Sequence, residues 1–270
     1  MSIFTKFRAY VALGLYVFSV AVLGAPHLYA LIAWNVVTRA DASTRRRRAA
    51  HWQMFWGCTL ARVAFWIMGI TAAVSRRPYA DVRSSIIVSN HPSGPLDGFL
   101  LMLMFRRIGL DDFRSIMKRE VLRMPVIGRS CKEAGCAFLT RGKDKSADLA
   151  EIARCAHDAW TDDASVLIFP EGTRFRGSKP GSSFTRVLPP KSAGLATLLA
   201  ELPEYPVLSV TIAWDRAITN GVDTVSSIAS YVGARVSIEA VMIKNVHPAS
   251  AEAWLESEWR RKDAALTAQA

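Results

Sequence analysis

From Ala9 to Val37 the chain carries no aspartate, glutamate, lysine or arginine. A run of 29 such residues excludes an ordinary solvent-facing helix. It is long enough to cross a bilayer, for which about 20 residues suffice. Acidic residues are sparse everywhere: 23 Asp and Glu stand against 34 Lys and Arg, a formal charge of +11. That balance disfavours cationic ligands and suits a lipid surface, a phosphorylated substrate or another anion. There are four cysteines, Cys58, Cys131, Cys136 and Cys155, without the paired doublets of a zinc site. They read as free thiols in a reducing compartment. No Gly-Lys-Ser/Thr follows the glycine turn at Gly172, which excludes a nucleotide P-loop. No internal repeat or low-complexity tract is present, and the globular part has no basic stripe interleaved with aromatics. Nucleic acid is therefore not an expected partner.

What is present begins with the membrane. Lys6 and Arg8 precede the apolar run and Pro26 lies inside it, so a kinked span and a re-entrant hairpin both remain open. A cleaved signal peptide is disfavoured, because the apolar run continues past any cleavage point. Arg39 and Arg45 to Arg48 follow. They place this side in the cytoplasm and offer an anchor to anionic headgroups. His51 to Ser75 is a second apolar stretch, rich in Trp and Phe, with Arg62 in its middle. A charge there is expensive in a full span, so the expectation is a helix lying in the membrane interface. Arg76-Arg77-Pro78 marks the expected boundary: residues 1–80 form membrane-anchoring helices, and residues 81–270 form the globular domain.

That domain alternates strand-like and helix-like runs. Strands are expected at 85–89, 113–117, 136–140, 165–169, 206–214 and 235–243. Helices are expected at 97–107, 146–160, 190–202 and 250–266. The fold class is α/β: a single domain with a mixed, largely parallel sheet flanked by helices, plus the N-terminal membrane-embedded helical segment. Ligand sites in such sheets gather beyond the carboxyl ends of the strands. Three loops with chemistry-bearing residues lie there.

The first is Ser89-Asn90-His91-Pro92-Ser93-Gly94-Pro95-Leu96-Asp97. On a continuous helix His91 and Asp97 would point about 240° apart, so they meet only if the loop bends. Pro92, Gly94 and Pro95 favour a bend. Either His91 is a general base oriented by Asp97, or Asp97 simply caps the following helix. The second loop is Phe169-Pro170-Glu171-Gly172-Thr173-Arg174, in which Arg174 offers a planar fork for a phosphate. The alternative there is a structural turn with a surface ion pair. The third is Gly135 to Arg141, with Arg141 just past a strand. Lys118, beyond another strand, makes a third cation.

In this order the blocks resemble the glycerolipid acyltransferases, the family of 1-acylglycerol-3-phosphate (lysophosphatidate) acyltransferases. The resemblance spans roughly residues 80 to 215. It rests on residues 90–97, 118–128, 135–141 and 169–174, with Pro206 to Val210 in place of a fourth apolar block and Pro190 to Gly194 as a variant Lys–Gly segment. The family usually has four residues between histidine and aspartate, whereas here there are five. The resemblance implies transfer of an acyl group from acyl-CoA or acyl-carrier protein to the hydroxyl of lysophosphatidate. His91 would be the base, Asp97 its orienting partner, and Arg141, Glu171, Gly172, Thr173, Arg174 and Lys118 the phosphate site. It implies no metal and no bound cofactor. The expected partners are a membrane lipid substrate, an anionic bilayer and an acyl-carrier protein. The expected location is a bacterial inner membrane, with the domain on its cytoplasmic side. Other lysolipid acceptors (a lysophospholipid, a lyso-ornithine lipid, a lipid A precursor) are alternatives, as is a non-catalytic basic membrane protein.

Overall fold

The structure is a computed structural model that describes residues 2–74, 84–92, 95–140, 144–178, 181–216 and 224–269. The apolar N-terminal run is helical throughout. Helix α1 (Ile3–Ser19) passes through a π turn (Val20–Gly24) into α2 (Ala25–Val37). Pro26 has no N–H to donate into the preceding turn, and the wider π turn just before it accommodates that gap. Ile3–Val37 is long and apolar enough to cross a membrane, and only 17% of its most apolar window is buried.

Helix α3 (Ala42–Met68) starts at Asp41, whose carboxylate caps the Thr44 amide at 2.9 Å, and stops at Gly69 in the left-handed region. Its buried face includes Trp52, Met54, Cys58, Phe65 and Met68, while Phe55 and Trp66 are exposed. The second apolar stretch is thus a covering layer of the domain on one side and an exposed aromatic stripe on the other. A short strand, β1 (Thr71–Val74), follows it. Residues 76–78, where sequence placed the boundary, lie outside the described residues.

The remaining elements are β2 (Ile86–Ser89), α4 (Pro95–Arg107), β3 (Phe113–Lys118), α5 (Ile127–Glu133), β4 (Ala137–Leu139), α6 (Lys145–Asp162), β5 (Ser165–Ile168), α7 (Ala193–Glu201), β6 (Val207–Trp214), α8 (Thr224–Ala229), β7 (Arg235–Ile243) and α9 (Ala251–Ala268). The sheet order is β1-β7-β6-β2-β5-β3-β4. Strands β6, β2, β5, β3 and β4 run parallel. β7 is antiparallel to β6 and parallel to β1. The sheet therefore takes one edge strand from the N-terminal side of residue 80.

Both faces of the sheet are covered, so β2 and β5 are buried at every position and β6 at all but its last residue, Trp214. Ile87, Leu167, Leu208 and Val210 point toward Leu100, Met104 and Phe65 of α4 and α3. Ile86, Val88, Val166 and Ile168 point toward Ile152, Leu195, Leu198 and Trp259 of α6, α7 and α9. The period-2 alternation of a strand sorts them between the two layers.

The arginine run ties the N-terminal helices to this core. Arg46 grips Asp162 through Nε at 2.6 Å and a second nitrogen at 2.9 Å, and buried Arg114 of β3 reaches the same carboxylate at 2.8 Å. Arg48 donates to Asn35 at 2.8 Å. Within the run expected as a headgroup anchor or a topology signal, the charge of Arg46 is instead committed to the domain, and the exposed Arg47 reaches the Asp162 carbonyl at 3.3 Å; Arg45 is exposed. Burial acts to raise the Asp162 carboxyl, but hydrogen bonds from Arg46, Ser43 and Arg114 outweigh it and hold it at about 2. With a depressed folded value, its contribution is present above the unfolded carboxylate range and is lost as pH falls toward about 2. Asp162→Ala removes the carboxylate that Arg46 and the fully buried Arg114 share, leaving them only Asp158 and Asp112 respectively. It should cost about 1.5–3 kcal/mol, read as a fall in thermal midpoint at neutral pH.

Candidate active site

Three neighbouring parallel strands, β2, β5 and β3, end on one edge of the sheet, and their exit loops carry most of the site. Strand β2 is paired with β6 as far as Ser89↔Val210. There Asn90, fully buried, extends the pairing with its side chain. Its amide donates to the Ile212 carbonyl at 3.0 Å and its oxygen accepts the Ile212 N–H at 2.8 Å. The backbone leaves the sheet at His91 from an anchored point.

His91 is held on every side. Its N–H donates to Glu171 Oε1 at 3.0 Å and its carbonyl accepts the Phe175 N–H at 2.9 Å. Its ring stacks on Phe169, with centroids 4.5 Å apart. Its Nδ1 lies 2.7 Å from Oδ2 of Asp97, which sits in the first turn of α4 and is 0% exposed, against 22% for the imidazole side chain. The five intervening residues therefore do not separate the pair. Ser93 and Gly94 lie outside the described residues, but α4 already begins at Pro95. An ionised carboxylate only accepts, so Nδ1 carries the proton and Nε2 is left as the basic nitrogen. This contact is the geometry that the oriented-base reading of the loop requires.

Glu171 departs from its expected place in a phosphate site. It is buried, and its two oxygens accept backbone amides, one from His91 and one from Leu188 at 3.1 Å. A carboxylate turned inward in this way braces the loop; facing a phosphate it would repel it. Burial pushes it up to about 7, against the two amides and the charges of His91 and Lys262. Gly172 has φ +68°, which a side chain adopts only under strain, and it closes a turn onto Phe169 O at 3.0 Å. Thr173 is exposed and Arg174 half-buried. Lys118 stands exposed at the end of β3. Arg141 lies outside the described residues.

One cation absent from the expected phosphate site emerges here. The Lys191 N–H donates to Pro170 O at 3.0 Å, and its ammonium is 3.7 Å from where a Cβ on Gly172 would stand. The Pro190 to Gly194 block was its only sequence signal. Beneath α4, an apolar cavity of about 140 Å³ is bounded by Tyr16, Trp52, Gly57, Phe99, Met102 and Val126. Phe99 is two residues beyond Asp97, and the Tyr16 ring meets it edge-on at 5.7 Å. Among the described residues no three His, Cys, Asp or Glu side chains gather as a metal site.

A family described as Acyltransferase matches residues 73–213, just over half of the chain and the whole of this loop cluster. The chain belongs to the acyltransferase family. It is 28% identical over 188 residues to the 1-acyl-sn-glycerol-3-phosphate acyltransferase of Cocos nucifera, covering 68% of this chain and 56% of that one. With its namesake from Borreliella burgdorferi it shares 27% over 116 residues, 43% and 44% of the two chains. The chain thus spans about half the length of the curated relatives it matches. The crystal structure of the 1-acyl-sn-glycerophosphate acyltransferase PlsC from Thermotoga maritima superposes with a TM-score of 0.62 at 17% identity. That superposition covers 97% of this chain and 98% of PlsC, which establishes a shared fold including the N-terminal helices.

In this member of the acyltransferase family the position of His91 depends on Asn90. Asn90→Ala removes a donor and an acceptor inside the sheet and leaves the Ile212 N–H and C=O without them, at roughly 1–3 kcal/mol for each group. The expected outcome is a lower denaturant midpoint together with reduced acyl transfer. A variant with wild-type stability and turnover would contradict the anchoring role.

Proposed function

We propose that the protein transfers a fatty acyl group from a thioester, acyl-CoA or acyl-carrier protein, to the free hydroxyl of lysophosphatidate, giving phosphatidate. The observation that carries this reading is the 2.7 Å contact between His91 Nδ1 and fully buried Asp97. It leaves Nε2 as the basic nitrogen on the sheet edge whose strand-exit loops also carry Lys118, Arg174 and Lys191. A hydroxyl is a weak nucleophile until its proton is removed as it attacks. His91 Nε2 takes that proton while the oxygen bonds to the thioester carbonyl carbon. The C–S bond then breaks, and the imidazolium returns the proton to the departing sulfur. Asp97 fixes the tautomer and stabilises the imidazolium, with the substrate hydroxyl standing where a serine stands in a hydrolase triad.

Arg174, with Lys118, Lys191 and Arg141, would hold the acceptor's phosphate and so place its hydroxyl. The apolar cavity under α4 offers room for acyl carbon. The apolar length of Ile3–Val37 and the exposed stripe of α3 support a membrane location, where lipid acceptor and product would both reside. We assign the sheet's carboxyl edge to the cytoplasmic side of a bacterial inner membrane, on the strength of the arginines after α2.

His91→Ala in purified full-length protein should lower turnover by about 10²–10⁴-fold with labelled donor and lysophosphatidate. Arg174→Ala should raise KM for lysophosphatidate more than for an acceptor without phosphate. Unchanged turnover in the first variant would remove the base assignment. Equal effects on both acceptors in the second would remove the phosphate assignment.

A further inference from the structure

Lys262 lies on α9, outside the stretch that matches the family, and is fully buried. Its ammonium donates to the Val88 carbonyl at 3.1 Å and to the Val210 carbonyl at 2.7 Å. Those carbonyls belong to β2 and β6, which pair at this point through Val88↔Ser209 and Ser89↔Val210. Val88 is three residues before His91. Val210 is two before Ile212, the residue that anchors Asn90. The ammonium therefore bridges both strands directly beneath the base.

A buried cation here is costly, and an apolar side chain could fill the same space. What surrounds it explains why a charge is kept. The Trp259 ring covers it, 4.5 Å from ammonium to centroid. Glu258, one turn earlier on α9, and Glu171, from the loop after β5, favour its proton, while neighbouring Arg261 opposes it. Glu258 is itself bound to the Ser209 hydroxyl and to Arg261. Glu171 accepts the His91 and Leu188 amides most strongly when ionised, one on each oxygen; protonation turns one oxygen into a weaker acceptor that carries its own donor. Burial pushes Lys262 down to about 7 and Glu171 up to about 7, and each charge resists the other's shift.

We propose that Lys262 is a positioning residue of the acyl-transfer centre, bridging the Val88 and Val210 carbonyls and keeping Glu171 ionised so that the His91 backbone stays in place. This rests on the acyl-transfer reading, and the C-terminal helix becomes part of the working site. Activity should then fail at low pH as Glu171 takes a proton, and removing the neighbouring cation should make that happen at higher pH.

The test measures kcat and KM against pH for full-length wild type, Lys262→Met and Glu258→Gln. Amide exchange of the segment around Val88 to His91, without substrate, is measured alongside. Lys262→Met should move the acid limb to higher pH by roughly half a unit. On that limb it should lose about threefold in kcat with KM within about twofold, and the His91 segment should exchange faster. Glu258→Gln keeps the lysine but loosens its hold on the proton, so it should shift the limb in the same direction by less. It decides the matter if Lys262→Met does not fold. A folded Lys262→Met with the wild-type limb and wild-type exchange overturns the proposal, as does an unshifted Glu258→Gln where that variant decides. If wild type transfers no acyl group, the reading above falls, and exchange alone then decides whether Lys262 holds the loop.

Discussion

The site depends on one electrostatic constraint: the Asp97 carboxylate is fully withdrawn from water, and such a group needs donors. His91 Nδ1 supplies one, and in doing so commits its proton and turns Nε2 outward. Most other features of the loop cluster keep that donor on target. Asn90 ends the strand at a fixed point, Glu171 and Phe175 hold the two backbone groups of His91, and Phe169 supports the ring. The geometry is set mainly by backbone hydrogen bonds. The extra residue between His91 and Asp97 therefore does not part the side chains.

A second buried carboxylate, Asp162, does for the N-terminal helices what Asp97 does for the histidine. Arg46 of α3 and Arg114 of β3 meet on it, so the segment that carries the apolar helix is fastened to the sheet by charge as well as by packing. Helix α3 then works on two sides. Its buried face closes the core over α4, and its exposed aromatics extend the apolar surface of α1 and α2. On the proposed reading a lipid acceptor and the His91 base must meet, and this joint fastens the helices that carry the apolar surface to the sheet that carries the base.

Much of this was legible from residues alone, because the cues were local. The β-branched run at Ile86 to Val88 reads as a strand, the proline-rich turn follows it, and the Phe169 to Arg174 loop leaves another strand. What stayed hidden is non-local. Strand β1 is four residues with two alanines, and only its pairing with β7 makes it a strand. The aromatic face of α3 reads as interfacial because burial of Trp52 against α2, and of Phe65 against α1 and α4, leaves no periodic trace distinct from lipid exposure. Glu171 looks like a ligand residue until Leu188, in an irregular segment, is seen to share it. Arg46 and Asp162 are 116 positions apart, and Lys262 and Val88 are 174 apart. No spacing rule links such pairs.

The central claim is that Asp97 holds His91 in the tautomer that leaves Nε2 free to act as the base. Nitrogen NMR of the His91 ring in ¹⁵N-histidine-labelled protein, assigned by comparison with His91→Ala, tests this without substrate. At a pH where the ring is neutral, the account predicts a protonated Nδ1 and an unprotonated Nε2, and Asp97→Ala should abolish that preference. A ring protonated at Nε2, or a tautomer indifferent to Asp97, would contradict it.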